Sequence, residues 1–516
     1  MRLQKIFSGL GVAAMLVMAS CGWDDMGDIN VNPNEAELPP PSLLLTQTLT
    51  NPNLSMGGII ISTQGALYAQ YLSNKQYTSN DNYQIINFAT DAYYAGPLMN
   101  LQKIIELNSD EETMLFAAND GDNANQIAIA KILTSWFILH MTDRWGDLPY
   151  TDALKGEELL LPEFDSQQVI YEKSIQSLKD AAAMIVTDYE KRVKGDVLFN
   201  GDMDMWRKFA NTTRLIAALR MSEVDPGTAE TEFQDAFNDG VIALDNSENV
   251  IFRYLNVQTY ENPYYNSFVT LGRKDWVIAD PLMNWMQLDT YASPHRVWYK
   301  DGNPYKTQTG FLDVARDPRL PVYANPLENT TDDFIGMPYG LTEADAGDVE
   351  SSEVSFMGDT FRQQNSPAIV YNSAQVAFVL AEGALRGWIN GTSAEEYYET
   401  GIRASLEQWG VEDGYDDYML NSAVAYDAGN ALEQIITQKW IATFPNGYEA
   451  WAEWRRTGFP QLAPADNALT PDNEIPRRQA YGTNEANLNK ANHSAALSRQ
   501  GFAADDLTGH VWWDVD

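Results

Sequence analysis

The sequence predicts a mainly α-helical protein built from paired helices, with long aromatic-rich loops and little β-structure. Three observations carry that expectation. Gln126 to Met141 runs unbroken and is apolar round most of a helical cylinder. Further stretches at 165–184, 206–221 and 367–410 repeat helical periodicity, with no convincing strand–helix–strand alternation between them. Between Ile251 and Tyr339, Pro, Gly and Asn break every run while Tyr and Trp crowd in, the pattern of long surface excursions on a helical scaffold.

The 126–141 stretch places Ile129, Ile132, Leu133, Trp136, Phe137 and His140 on one stripe, with Asn123 or Asn125 as the expected cap. It contains Lys131 and is too short to span a bilayer, so it reads as a central buried helix. Its expected end is the turn Thr142-Asp143-Arg144-Trp145-Gly146-Asp147, where Gly146 permits a left-handed stop and Pro149 blocks resumption. Asp143, Arg144 and Asp147 are expected to pair with one another at the edge of the core. A second helix should start after an Asp165 or Ser166 cap, with Ile170, Ile175 and Leu178 inward. A third, Trp206 to Met221, should bury Phe209, Ile216 and Leu219 and leave Lys208, Arg214 and Arg220 on a polar face.

The strongest architectural pattern lies between 367 and 410. Val376, Val379, Leu380 and Ala384 form one stripe, Gly387 closes the helix, and Ala394, Tyr397, Tyr398, Ile402 and Leu406 form the next. Small residues beside tyrosines are tetratricopeptide-like, and Ala384 is expected where the two helices touch.

Composition narrows the function. The 516 residues carry 72 acidic and 34 basic side chains, a formal charge of −38, which disfavours nucleic acid and anionic membrane surfaces as partners. The single cysteine, Cys21, excludes an internal disulfide. Only four histidines occur (His140, His295, His493, His510) without an HExxH spacing, and there is no Walker loop or G-x-S-x-G elbow. Asp120 and Asp122 lack the spacing and terminal Glu of a calcium loop. The expectation is therefore no enzyme, no cofactor and no metal site.

At the N-terminus, Arg2 and Lys5 precede an apolar run from Ile6 to Met18, and Met18-Ala19-Ser20-Cys21 makes a lipobox. Residues 1–20 read as a lipoprotein signal peptide and Cys21 as the lipidated residue. Residues 21–42, ending in Pro39-Pro40-Pro41, read as a tether, and 43–516 as a single helical domain. Within the tether lies Ile29-Asn30-Val31-Asn32-Pro33-Asn34. Farther on come Thr142 to Tyr150 (TDRWGDLPY), Asp317-Pro318-Arg319-Leu320, Ala381 to Trp388 (AEGALRGW), Ile475-Pro476-Arg477-Arg478, Asn484 to Asn489 and Val511-Trp512-Trp513-Asp514. Recurring in this order over essentially the whole chain, these elements resemble the SusD/RagB-like nutrient-binding lipoproteins of the bacterial outer membrane.

That resemblance implies a SusD-like fold on a tetratricopeptide-type scaffold, and a SusC-like TonB-dependent outer-membrane transporter as partner. The lipobox itself predicts that the protein hangs from a membrane by its N-terminal lipid. Asp24 and Asp25 after Cys21 resemble the acidic signal that sends such lipoproteins to the cell exterior. The ligand does not carry over: glycan oligosaccharides lead, peptides are the alternative, and a scaffold that binds only protein is the third reading. A sugar ring has an apolar face that a Tyr or Trp plane can cover while polar side chains take the hydroxyls. The loop aromatics expected on a ligand face are Tyr77, Tyr83, Tyr264, Tyr265, Trp276 and Trp298.

Overall fold

The structure, a computed structural model, describes residues 38–187, 191–287 and 316–515. Its principal helices are α1 (Pro41–Thr50), α2 (Met99–Ser109), α3 (Asn123–Trp145), α4 (Gln167–Met184), α5 (Met203–Arg220) and α6 (Pro226–Asp239). Towards the C-terminus follow α7 (Ser373–Leu385), α8 (Ala394–Trp409), α9 (Ala431–Ala442), α10 (Gly447–Thr457) and α11 (Lys490–Arg499). Among the described residues, strand is confined to two antiparallel pairs of short segments. β1 (Leu72–Asn74) pairs with β3 (Trp276–Ile278), and β2 (Val250–Phe252) with β4 (Ala368–Tyr371). Residues 41–516 gather into one compact unit. No helix among the described residues is long and apolar enough to cross a membrane.

The helices pack in sequence order, as the paired-helix pattern requires: α2 on α3, α3 on α4, α4 on α5, α5 on α6, then α7 on α8. The helix α9 closes against α7, and α10 lies against the helix Thr63–Tyr68. The central helix is α3, buried along most of its length including Ile129, Ile132, Trp136 and Phe137.

Its ends differ from expectation. The cap is Asp122, whose carboxylate accepts from the Asn125 amide at 3.1 Å. Both expected caps are occupied elsewhere: Asn123 Nδ2 donates to Asn108 Oδ1, and Asn125 Nδ2 to the Val186 carbonyl. The helix also continues through Thr142–Trp145 and stops only at Gly146, at φ +83°. Trp145 is drawn inward because its indole donates to the carbonyls of Phe88 and Ala480.

Nor do Asp143, Arg144 and Asp147 pair with one another. Asp143 and Arg144 are successive helical positions that point in different directions, Asp147 lies beyond the helix end, and each finds its own partner. Asp143 accepts from Tyr171 and from Trp513 at 2.9 Å. Arg144 donates to Gln479 at 2.8 Å and lies 4.2 Å from both the Trp145 and Tyr448 ring centroids. Asp147 is bound by Arg499 at 2.7 Å.

The expected polar face of α5 is a second correction. Lys208 reaches Glu248, but Arg214 and Arg220 are buried. Arg214 pairs with Asp239 at 2.7 Å, and Arg220 with Glu449 at 2.8 Å. Arg220 belongs to a buried ionic cluster that ties α5, α7, α9 and α10 together. Arg456 grips Glu382 through two bonds of 2.7 and 2.6 Å and also reaches Glu453 at 2.7 Å, while Lys439 approaches Glu453 at 3.2 Å. Burial alone would push the Glu382 and Glu453 carboxyls up. Arg456, adjacent to both, acts with Arg386 at Glu382 and with Lys439 and Arg220 at Glu453, and together these cations outweigh burial and hold the carboxyls below the usual range.

Close helix approach rests on glycine rather than on Ala384, which is only half-buried. A Cβ on Gly401 would lie 2.7 Å from the Phe378 ring across the α7–α8 contact, and one on Gly383 would lie 2.4 Å from Phe233 of α6. The small residue at the α7–α8 contact is thus Gly401 of α8, facing Phe378, while Gly383 beside Ala384 serves the contact with α6.

Candidate ligand-binding face

The β1–β3 pair brings the chain segments that carry two of the expected aromatic residues, Tyr77 and Trp276, to one end. The register Leu72↔Ile278, Ser73↔Val277, Asn74↔Trp276 is antiparallel, so the chain leaving β1 and the chain entering β3 share one end. Lys75 N donates to the Asp275 carbonyl at 2.7 Å, extending the pairing into the loops. Asn74 Oδ1 accepts from the amides of Gln76 (2.9 Å) and Tyr77 (2.8 Å), a local turn that swings Tyr77 off the pair. Asn74 N in turn donates to Asp81 at 2.7 Å, and burial pushes that carboxyl up.

Tyr77 is 51% exposed. The Arg273 guanidinium sits 5.3 Å from its ring centroid and donates to Asp275 at 2.9 Å. Trp276, half-buried, follows directly. Lys75 reaches the Val349 carbonyl; burial lowers its pKa against the opposing pull of Glu350 and Glu353. The result is an open tyrosine plane flanked by a guanidinium and a carboxylate. Such a plane can cover the apolar face of a ring while the charged groups exchange hydrogen bonds with hydroxyls.

The other expected residues separate. Tyr265 is half-buried on the short helix Pro263–Tyr265, which Asn262 caps. Tyr264 is only 2% exposed. Tyr83, also at 2%, packs between Tyr68 and Tyr339 with centroid distances of 6.2 and 6.3 Å, and its Oη accepts from Ala465 N at 3.2 Å. Burial pushes its phenol up. Tyr83 and Tyr264 are therefore core rings rather than an exposed face. Their polar sequence neighbours are buried too: Thr78, Asp81 and Asn82 beside Tyr83, Asn262 beside Tyr264. Trp298 and Cys21 lie outside the described residues. Sequence reasoning passed over Arg273 and Asp275; the charged run Arg273-Lys274-Asp275 before Trp276 was the available signal. It also left out Tyr260, which is exposed. No group of three or more His, Cys, Asp or Glu side chains among the described residues is placed to hold a metal ion.

Comparisons with known proteins agree with this architecture. Residues 33–482 match the SusD-like family model described as starch-binding, associating with outer membrane. Among solved structures, one described as a chitin-binding protein is 27% identical with a TM-score of 0.75, covering 92% of this chain and 100% of its own. A chitin-binding SusD homologue from Flavobacterium johnsoniae is 24% identical (TM-score 0.71; 92% and 98% covered). A SusD homologue from Bacteroides uniformis is 22% identical (TM-score 0.74; 92% and 99% covered). No curated protein matches the chain. With the family model spanning most of its length and the helical-pair scaffold in place, the chain belongs to the SusD-like family of outer-membrane-associated proteins.

Proposed function

We propose that this protein is a non-catalytic, cell-surface lipoprotein, anchored through Cys21, that binds glycan oligosaccharides and delivers them to a SusC-like TonB-dependent outer-membrane transporter. The observation that carries the glycan reading is the exposed Tyr77 plane with Arg273 and Asp275 beside it. The family description and the chitin-binding name of the 27% identical structure make N-acetylglucosamine oligomers the first glycans to test and starch oligomers the second.

Calorimetric titration with both series tests the reading. Tyr77→Ala should weaken binding by up to roughly tenfold, since a ring contact contributes about 0.5–1.5 kcal/mol. It should leave the melting curve unchanged, because an exposed ring leaves no cavity. Tyr83→Ala should do the opposite and cost about 3–5 kcal/mol of stability. Absence of saturable glycan binding, or equal affinity in Tyr77→Ala, refutes the assignment. For the anchor, Cys21→Ala should abolish incorporation of a fatty-acid analogue and release the protein from membranes; a labelled, membrane-bound variant refutes it.

A further inference from the structure

A second concavity shares no residue with the loop face. It has a volume of about 580 Å3 and lies between Asp91–Met99, the 149–162 loop and the helix Thr483–Leu488. Its lining is mostly aliphatic, and three of its leucines stand in solvent: Leu160 at 76%, Leu161 at 52% and Leu488 at 72% exposure. Exposed leucines clustered on one concave surface are unusual for a protein with no use for them. Side chains from the neighbouring elements hold the backbone of the 149–162 loop. Asn492 Nδ2 donates to the Leu161 carbonyl at 3.1 Å, Asn489 Nδ2 to the Pro162 carbonyl at 2.8 Å, and Tyr94 Oη to the Pro149 carbonyl at 2.6 Å. The loop is thus tied to its neighbours while Leu160, Leu161 and Leu488 stay exposed.

One wall carries charge. Asp91 and Glu485 both line the groove, and among the described residues neither has an ion-pair partner. Asp91 is held by Asn484 Nδ2 at 2.5 Å, and Glu485 accepts from Thr90 at 3.4 Å. Lys155, the cation in the lining, is bound to Asp152. Burial, then the neighbouring Asp91, pushes the Glu485 carboxyl up.

Aliphatic floor and acidic wall together select the occupant. A glycan is disfavoured, because Tyr94 is the only ring in the lining and its hydroxyl is already engaged. An anionic membrane surface is repelled by Asp91, Glu157 and Glu485 in the lining. We infer that this groove docks a protein segment that is apolar and basic, seating its apolar side chains against Leu160, Leu161 and Leu488 and a lysine or arginine against Asp91 and Glu485. Specificity comes from the pairing of the two features, since the acidic wall rejects an acidic segment and the leucines gain nothing from a purely polar one.

The test is a display selection of short random peptides on the whole protein, counter-selected on a Leu161→Asp/Leu488→Asp variant. Both leucines are exposed, so the variant should melt like wild type and titrate identically with N-acetylglucosamine oligomers, which separates this groove from the glycan face. Enriched peptides are expected to combine an apolar run with Lys or Arg, and to lose affinity roughly tenfold or more on Glu485→Lys and on raising the salt. The inference is overturned if no peptide discriminates wild type from the double variant. It is equally overturned if the selected peptides lack a basic residue, or if Glu485→Lys leaves their affinity unchanged.

Discussion

Arg319 offers the sharpest test of how this scaffold is held. The Asp317-Pro318-Arg319-Leu320 element lies within the 251–339 stretch that reads from sequence as surface excursions. In the structure both charged side chains are fully buried. Arg319 Nε donates to Asp317 Oδ1 at 2.9 Å and Nη2 to Oδ2 at 2.6 Å. Nη1 reaches Ser405 Oγ of α8 at 2.9 Å, and Nη2 reaches Gln438 Oε1 of α9 at 2.8 Å. Burial would favour loss of its proton, but Asp317, with smaller contributions from Tyr418 and Tyr323, outweighs burial and keeps the guanidinium charged. Arg319→Ala would remove every one of these bonds and strand the Asp317 carboxylate, leaving it only the Arg319 amide and the Tyr418 hydroxyl. Breaking a buried pair in this way costs about 3–5 kcal/mol. For a unit of roughly 480 residues, with an unfolding entropy of about 2.1 cal/mol/K per residue, 4 kcal/mol corresponds to a fall of only about 4 °C in Tm. Urea denaturation is therefore the better assay, read as a shift in midpoint at constant slope. The double variant Asp317→Asn/Arg319→Met should recover part of the loss, because no charge is left buried alone; a double-mutant cycle then returns a coupling on the order of 2 kcal/mol. A loss below about 1 kcal/mol for Arg319→Ala, or strictly additive single variants, would refute the view that this pair fastens the chain to α8 and α9.

Two further predictions concern the core. The depressed pKa values of Glu382 and Glu453 mean that their stabilisation is fully present above the ordinary carboxyl value of 4.5 and is lost as pH falls below it towards the folded-state values. Melting temperature should hold near neutrality and drop below pH 4.5. Glu453→Gln should be less stable at pH 7 by about 3–5 kcal/mol and should lose less on acidification; parallel pH profiles would contradict this. Gly401→Val should overpack the Phe378 ring and cost about 1–3 kcal/mol in urea, with Phe378→Leu restoring part of it. Ala384→Leu, at a half-buried position, should cost less; the reverse order would mean that the α7–α8 contact is drawn wrongly.

Local signals in the sequence reached far in this protein. Apolar spacing and capping chemistry place α3, α4, α5, α7 and α8 to within a few residues, because a helix one turn long already decides which side chains share a face. Ser166 caps α4 as its residue type demands, and the left-handed Gly387 follows α7. What the sequence leaves undecided is the fate of charges and tyrosines whose partners are remote along the chain. Arg220 looks like a surface residue until α10 brings Glu449, 229 positions away, to its guanidinium. Tyr77 and Tyr83 sit in similar polar surroundings, yet Tyr83 is enclosed by Tyr339 and Ala465 while Tyr77 is turned outward by Asn74 at the end of β1. Periodicity determines which face of an element is apolar; only the tertiary packing determines which polar groups are covered by another element, because that depends on partners that no local pattern encodes.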